Sequence, residues 1–221
     1  MRVMKASALA IALAVSTVAA QDAAKKIAGG GITAKGWQGR VDPQETKQGN
    51  TINDSKFMAM GANGLHVQTG PAAVYWNPAN TASGNYTVKA SFKEGKSTSD
   101  HPHPYGLFIG GKNLDTDTPT LAYCVAYPNG NYLVRGFSGG KVFNAGRGPN
   151  EAVHKGAEGV TQEIAWVVKG DTVECQVNGK PVASLTKADL VGPGKLESTD
   201  GIYGLRVAHN IEVMVSGLTK Q

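Results

Sequence analysis

His101-Pro102-His103 sets two imidazoles two residues apart, a spacing from which both can reach one transition-metal ion, with Asp100 or the remote His66 available to complete a site. The flanking prolines suit an extended loop equally well, so ordinary loop histidines are the competing reading. Asp115 and Asp117 share one face of a Thr/Pro-rich stretch and offer oxygen ligands of the kind calcium takes. Solvation of a surface loop accounts for them too, and no EF-hand or other dedicated loop accompanies them. No cofactor is firmly implied; calcium stays open.

Hydrolysis of a glycosidic bond usually takes two carboxylates, about 5–5.5 Å apart for retention and about 6.5–9.5 Å for inversion. The one close acidic pair in strand-like sequence, Asp171 and Glu174, is three residues apart and so falls on opposite strand faces. The least poor catalytic candidates are Glu174, His66 and Arg135. Saccharide binding asks instead for aromatic faces and planar hydrogen-bonding groups, and Trp76, Gln68, Arg135, Phe137 and Gln176 supply them. Arg135 can hold a pair of hydroxyls through its forked donors. These side chains could line one concave sheet, while the solvated face of an antiparallel sheet is the plainer reading of each.

The elements that must position them are strands. With 29 glycines, 10 prolines and only 18% charged residues, the composition suits many short strands joined by tight turns. Tyr86–Lys93 places Val88, Ala90 and Phe92 on one face and Lys89, Ser91 and Lys93 on the other. Asn178-Gly179 suits a two-residue type I′ turn, with Val173, Cys175 and Val177 on the apolar face and Glu174 and Gln176 opposite. Trp166 alternates with Ile164 and Val168 and reads as core. Asn129-Gly130 gives the same turn signal within Leu121–Phe137. A two-residue turn there sets Tyr127 against Tyr132 and Cys124 against Arg135. Thr186–Val191 is the best helical candidate, one turn at most.

That register bears on the two cysteines. If Cys124 shares a face with Arg135 while Cys175 points into the core, the two cannot come within the roughly 4.4–6.8 Å Cα separation of a disulfide. If the tyrosine face is the exposed one, Cys124 turns inward and the bridge becomes available. Both outcomes stand at this level.

Residues 1–20 carry Arg2 and Lys5, an apolar run from Ala6 to Ala19 and small residues before Gln21, the form of a secretory signal peptide. The run is shorter than the roughly 20 residues a membrane span needs. The expectation is an exported, periplasmic or extracellular protein without a membrane span. The chain of 221 residues has 22 basic and 17 acidic side chains, and without the leader 20 basic against 17 acidic, or +3. The bases are scattered rather than gathered into a face, which argues against nucleic acid as a partner. The division expected is a leader over 1–20, a flexible polar segment over 21–50 and one β-sandwich domain over 51–221.

The hairpin WVVKGDTVECQVNGKPV, with its Asn178-Gly179 turn, and the closing DGIYGLRVAHNIEVMVSGL, with Gly201-Ile202-Tyr203-Gly204-Leu205, resemble the concanavalin A-like lectin/glucanase superfamily. The likeness runs from about Gly64 to Leu218 and is nearest to bacterial secreted domains of the 3-keto-disaccharide hydrolase type. It implies an all-β, antiparallel two-sheet jelly-roll sandwich whose concave sheet binds glycans. The Glu-x-Asp-x-x-Glu and Glu-x-Asp-x-Glu patterns of laminarinase-type members are missing. The expected function is therefore carbohydrate binding, with a glycoside-processing enzyme and a structural or adhesive surface protein as alternatives. The sugar and the oligomeric state are not encoded in any motif.

Overall fold

Period-two alternation buries one face of a strand, and two sheets that share their buried faces make a sandwich. The computed structural model describes residues 22–96, 101–156 and 158–221, so the leader and Asp100 lie outside the described residues. One sheet has eight strands in the order β1 (Gly31–Ile32), β3 (Lys56–Met60), β4 (Gly64–Gln68), β15 (Glu212–Lys220), β6 (Tyr86–Glu94), β11 (Thr161–Lys169), β12 (Thr172–Val177), β13 (Lys180–Thr186). The other has seven, in the order β10 (Lys141–Pro149), β9 (Asn131–Ser138), β8 (Thr120–Ala126), β7 (Tyr105–Lys112), β14 (Gly201–Val207), β5 (Ala73–Ala82), β2 (Gln38–Val41). The β1–β3 pair is parallel and every other pairing is antiparallel. This is the expected jelly-roll sandwich. Among the described residues helix is confined to single turns, α1 (Pro43–Lys47), a 3-10 turn (Ile52–Asp54) and α2 (Lys187–Leu190), the last falling within the stretch expected to be helical.

Between the sheets, Val88, Ala90 and Phe92 of β6 and Ile164, Trp166 and Val168 of β11 face Leu107 and Ile109 of β7 and Leu205 and Val207 of β14. Trp166 is fully buried, and its indole N–H donates to the Leu107 carbonyl at 3.1 Å, tying one sheet to the other. Left unpaired there, that donor would cost about 1–3 kcal/mol. The Asn178-Gly179 turn forms as expected: Val177 pairs with Lys180, and both turn residues have positive φ, 52° and 76°.

The other hairpin differs from expectation by one residue. Cys124 pairs with Val134, and Tyr123 with Arg135. The loop is Pro128–Gly130, closed by the Tyr127 N–H to the Asn131 carbonyl at 2.9 Å, and only Gly130 has positive φ, 89°. Pro128 is the cause. Its fixed φ of about −65° starts a type I turn that a left-handed glycine completes, giving three loop residues rather than two. A one-residue slip moves every side chain to the other face. Cys124 thus points into the core and bridges Cys175 across the two sheets, at a Cα separation of 6.0 Å.

Residues 22–50, read from the sequence as a flexible lead-in, contribute β1 to one sheet and β2 to the other. The strand-bearing domain therefore starts before residue 51. Trp37 anchors this stretch, its ring 5.0 Å from that of Phe57. Short glycine-rich strands at sheet edges carry too little alternation to show in the sequence.

Glu94 alternates inward at the end of β6 and is 1% exposed. Its carboxylate oxygens make no hydrogen bond of standard geometry among the described residues. Burial pushes this carboxyl up to about 7, with Tyr105 beside it drawing the other way.

Two stability measurements follow. Opening the bridge, which spans 51 residues, should cost about 2–4 kcal/mol, seen as a lower urea midpoint for Cys124→Ala/Cys175→Ala. Glu94 carries a folded-state pKa above its ordinary 4.5, so the stability it permits is complete below pH 4.5 and lost as pH rises towards 7. Glu94→Gln should flatten that fall and exceed the wild type in urea midpoint at pH 7.5.

Candidate functional site

The two outward faces of the sandwich are chemically unlike. On the eight-stranded sheet the outward face mixes Met58 and Met214 with polar residues that satisfy one another: His66 Nε2 meets Glu212 at 2.6 Å, Lys89 meets Glu163 at 3.2 Å, and Gln176 donates to Glu174 at 2.7 Å. This is a solvated face. On the seven-stranded sheet the outward residues form a second apolar cluster that includes Trp76 of β5, Phe108 of β7, Tyr123 of β8 and Leu133 and Phe137 of β9. A cavity of about 770 Å³ opens over part of that face, within the size range of small-molecule sites, about 300–1,000 Å³.

Its floor holds a buried charge. Arg206 alternates outward on β14, opposite the inward Leu205 and Val207, and is 8% exposed. Its two terminal nitrogens donate to the two Asp42 carboxylate oxygens at 2.7 and 2.6 Å, a fork-to-fork pair. The guanidinium also lies 5.2 Å from the centre of the Tyr123 ring. Burial alone would lower the Arg206 pKa, but Asp42 and Tyr123 more than offset it and hold it above its usual value. Burial raises Asp42, with Arg206 pulling the other way.

Asp42 sits where β2 gives way to α1, and Asp-Pro is a helix-start signal: an N-cap residue followed by proline at the first helical position. Its side chain nevertheless makes no capping bond, because Arg206 engages it. The wall that α1 forms is thereby fastened to the floor. Glu45, also on this wall, accepts from the Asn50 side chain at 2.7 Å and from the Ala72 amide at 3.4 Å.

The histidines line the same cavity. His103 and His209 lie with ring centres 4.0 Å apart, and His101 stands at the rim. Burial lowers His103 to about 4, and His209 reinforces the shift. Burial likewise lowers His209. Both imidazoles are therefore neutral at neutral pH.

The sequence candidates separate into groups. Arg135, Phe137 and Trp76 are on the outward face of the seven-stranded sheet, although Phe137 and Trp76 are both buried and Trp76 offers no stacking face. Glu174, His66, Gln68 and Gln176 belong to the eight-stranded sheet, on the far side of the sandwich from Arg135. His66 and Glu174 are themselves four strand spacings apart, about 19 Å. The side chains expected to line one sheet are thus divided between two, and Glu174, His66 and Arg135 cannot share a substrate. His66, paired to Glu212, is equally remote from His101 and His103 as a shared metal ligand. Asp117 forms an ion pair with Arg40, which also donates to the Asp115 main-chain carbonyl at 2.8 Å, so a guanidinium stands where calcium was considered. Among the described residues no three His, Cys, Asp or Glu side chains gather as a metal site.

Arg206, Asp42 and Tyr123 do not figure among the sequence candidates, and His209 reads there as an isolated structural or solvated histidine. A signal existed for the first: a lone arginine in the central apolar strand GIYGLRV, opposite Tyr203, Leu205 and Val207, is a residue seldom buried unless paired.

Two sheets, antiparallel but for the β1–β3 pair, packed face to face with a groove over one of them, define a jelly-roll sandwich. No protein-family model matches the sequence, and no curated protein matches it. Solved structures share the architecture. A protein of unknown function with a galectin-like fold from Bacillus subtilis matches at TM-score 0.54 and 12% identity, covering 85% of this chain and 90% of that one. An endo-β-1,3-glucanase from Pyrococcus furiosus matches at 0.52 and 11%, covering 85% and 88%. The carbohydrate-binding module CBM66 from Bacillus subtilis matches at 0.50 and 8%, covering 86% and 98%.

Removing one member of a buried pair leaves the other charge uncompensated, at about 3–5 kcal/mol. Arg206→Met should lose that much unfolding free energy in urea. Asp42→Leu/Arg206→Met, with no charge left buried, should recover most of it.

Proposed function

We propose that this chain is an exported saccharide-binding protein that seats its ligand in the groove of the seven-stranded sheet. One observation carries the reading: that sheet lines its groove with aromatic and apolar side chains, Tyr123, Tyr127, Leu133 and Phe137, beside a half-buried arginine, whereas on the opposite sheet the polar side chains pair with one another. A pyranose ring has the matching duality. Its C–H faces lie against aromatic rings, and its hydroxyls take forked donors such as Arg135. Tyr127 is the aromatic residue at the groove that remains half-exposed, and so the one able to stack.

The similar structures named as a carbohydrate-binding module and a glucanase favour a saccharide, although a fold of this kind hosts many functions. The Cys124–Cys175 bridge suits the oxidising compartments in which disulfides persist, in keeping with the leader-like residues 1–20. Binding rather than cleavage is the chemistry these side chains support, because Asp42 is engaged by Arg206 and Glu45 by Asn50 and the Ala72 amide. A 3-keto-disaccharide hydrolase activity remains the enzymatic alternative.

Calorimetry against a panel of neutral, acidic and 3-keto saccharides, with product release followed in parallel, tests both readings. Binding without turnover is expected. Tyr127→Ala should weaken it about tenfold, the scale of a lost contact worth ~1.4 kcal/mol, and Glu174→Gln should leave it unchanged. Silence across the panel, or binding abolished by Glu174→Gln and kept in Tyr127→Ala, would overturn the proposal.

A further inference from the structure

We infer that the end of the groove where β9 meets β10 is an anion subsite, in which Arg135 and Arg147 hold the carboxylate or sulfate of an acidic saccharide. The inference rests on the saccharide-binding reading and narrows it to a ligand class.

A β-bulge puts the second arginine there. Along β10, Asn144 pairs with Arg135 of β9 on the outward face, and the pairing then shifts so that Gly146 opposes Val134 and Arg147 opposes Leu133. Val134 is an inward residue and Leu133 an outward one. Were Ala145 paired in register instead of bulged, strict alternation would set Arg147 opposite Tyr132 and carry it to the core side. Bulges re-aim side chains in this way. Arg135 and Arg147 become diagonal neighbours on one face, with backbones about 7–8 Å apart, close enough for two long side chains to converge on one group.

The surroundings are those of a receptor for negative charge. A second cavity, of about 330 Å³, shares Tyr127, Leu133 and Arg135 with the main groove and is therefore its continuation. Asn129 and Asn131 add amides to its lining, and among the described residues no carboxylate lines it. The other two arginines near this sheet are neutralised, Arg206 by Asp42 and Arg40 by Asp117. Among the described residues, neither Arg135 nor Arg147 has an acidic partner within ion-pair distance. Asn144 accepts from Arg135 Nε at 2.8 Å. That bond fixes the plane of the guanidinium, and the Tyr123 phenol that Arg135 also engages is a neutral partner, so the positive charge stays uncompensated. Arg135, Arg206 and Arg147 all act on the Tyr127 phenol, pulling its pKa down against the rise that burial causes. A ring to stack on and a positive field thus coincide at Tyr127.

The test titrates the full chain with three oligosaccharide sets of matched length: oligogalacturonates, sulfated laminari-oligosaccharides and uncharged laminari-oligosaccharides. At least one acidic set should bind about tenfold or more tighter than the uncharged set, with affinity falling as salt rises. Preference for the uronates alone identifies a carboxylate ligand, and preference for the sulfated set alone a sulfate. Arg147→Gln, at an exposed position where folding is not at stake, should cut the acidic preference several-fold and leave uncharged binding as it was. Uncharged ligands binding as tightly as acidic ones, or an acidic preference undiminished in Arg147→Gln, would overturn the inference while leaving saccharide binding in place. Failure of all three sets would remove both.

Discussion

The ion pair between Asp42 and Arg206 is where fold and groove depend on each other. A guanidinium on the outward face of a strand would ordinarily reach for water. Here the Tyr123 ring beside it and the Asp42 carboxylate at 2.6–2.7 Å replace that water. The pair contributes little net stability once desolvation is counted, and its strength lies in geometry. It joins β14, inside the sheet, to the start of α1, next to the edge strand β2, and so fixes wall against floor. Asp42 shows the cost locally, since a residue in the N-cap position leaves its own helix uncapped.

Parity along the strands decides everything else about the site. A sandwich fixes which face is inside, and each outward residue is outward only because its neighbours are not. Two local irregularities set that parity where it matters. Pro128 lengthens one turn by a residue, sending Cys124 to the core and Tyr123, Arg135 and Phe137 to the groove. The bulge at Ala145 resets the count on β10 and delivers Arg147 to the same face. Neither changes the fold class, and each changes which side chains a ligand meets.

This also explains what the sequence made legible. The sandwich, the Asn178-Gly179 turn and the inward set Val173, Cys175 and Val177 follow from alternation and turn chemistry, both local properties. The choice between the two outward faces is not local. His66 and Gln176 alternate outward as plainly as Arg135 does, and only the strand order places them on the opposite sheet. The disulfide stayed undecided for a related reason, because it hung on a register that Pro128 set and a two-residue turn misassigned. Asp42 and Arg206 are 164 residues apart, and nothing short of the assembled sheet brings them together.

The strand order carries one more consequence for the groove. Strand β14 lies between β7 and β5, and β15 between β4 and β6, so the last strands of the chain occupy interior places in both sheets. Until they insert, β5 and β7 have no shared neighbour, the interior has not received Leu205 and Val207, and Arg206 is not there to meet Asp42. Such long-range pairings bear a large loop-closure cost before they return any contact energy. The groove is therefore not a pocket carved into a finished scaffold. Its floor and the sandwich core are completed by the same strand, with alternate residues of GIYGLRV serving each.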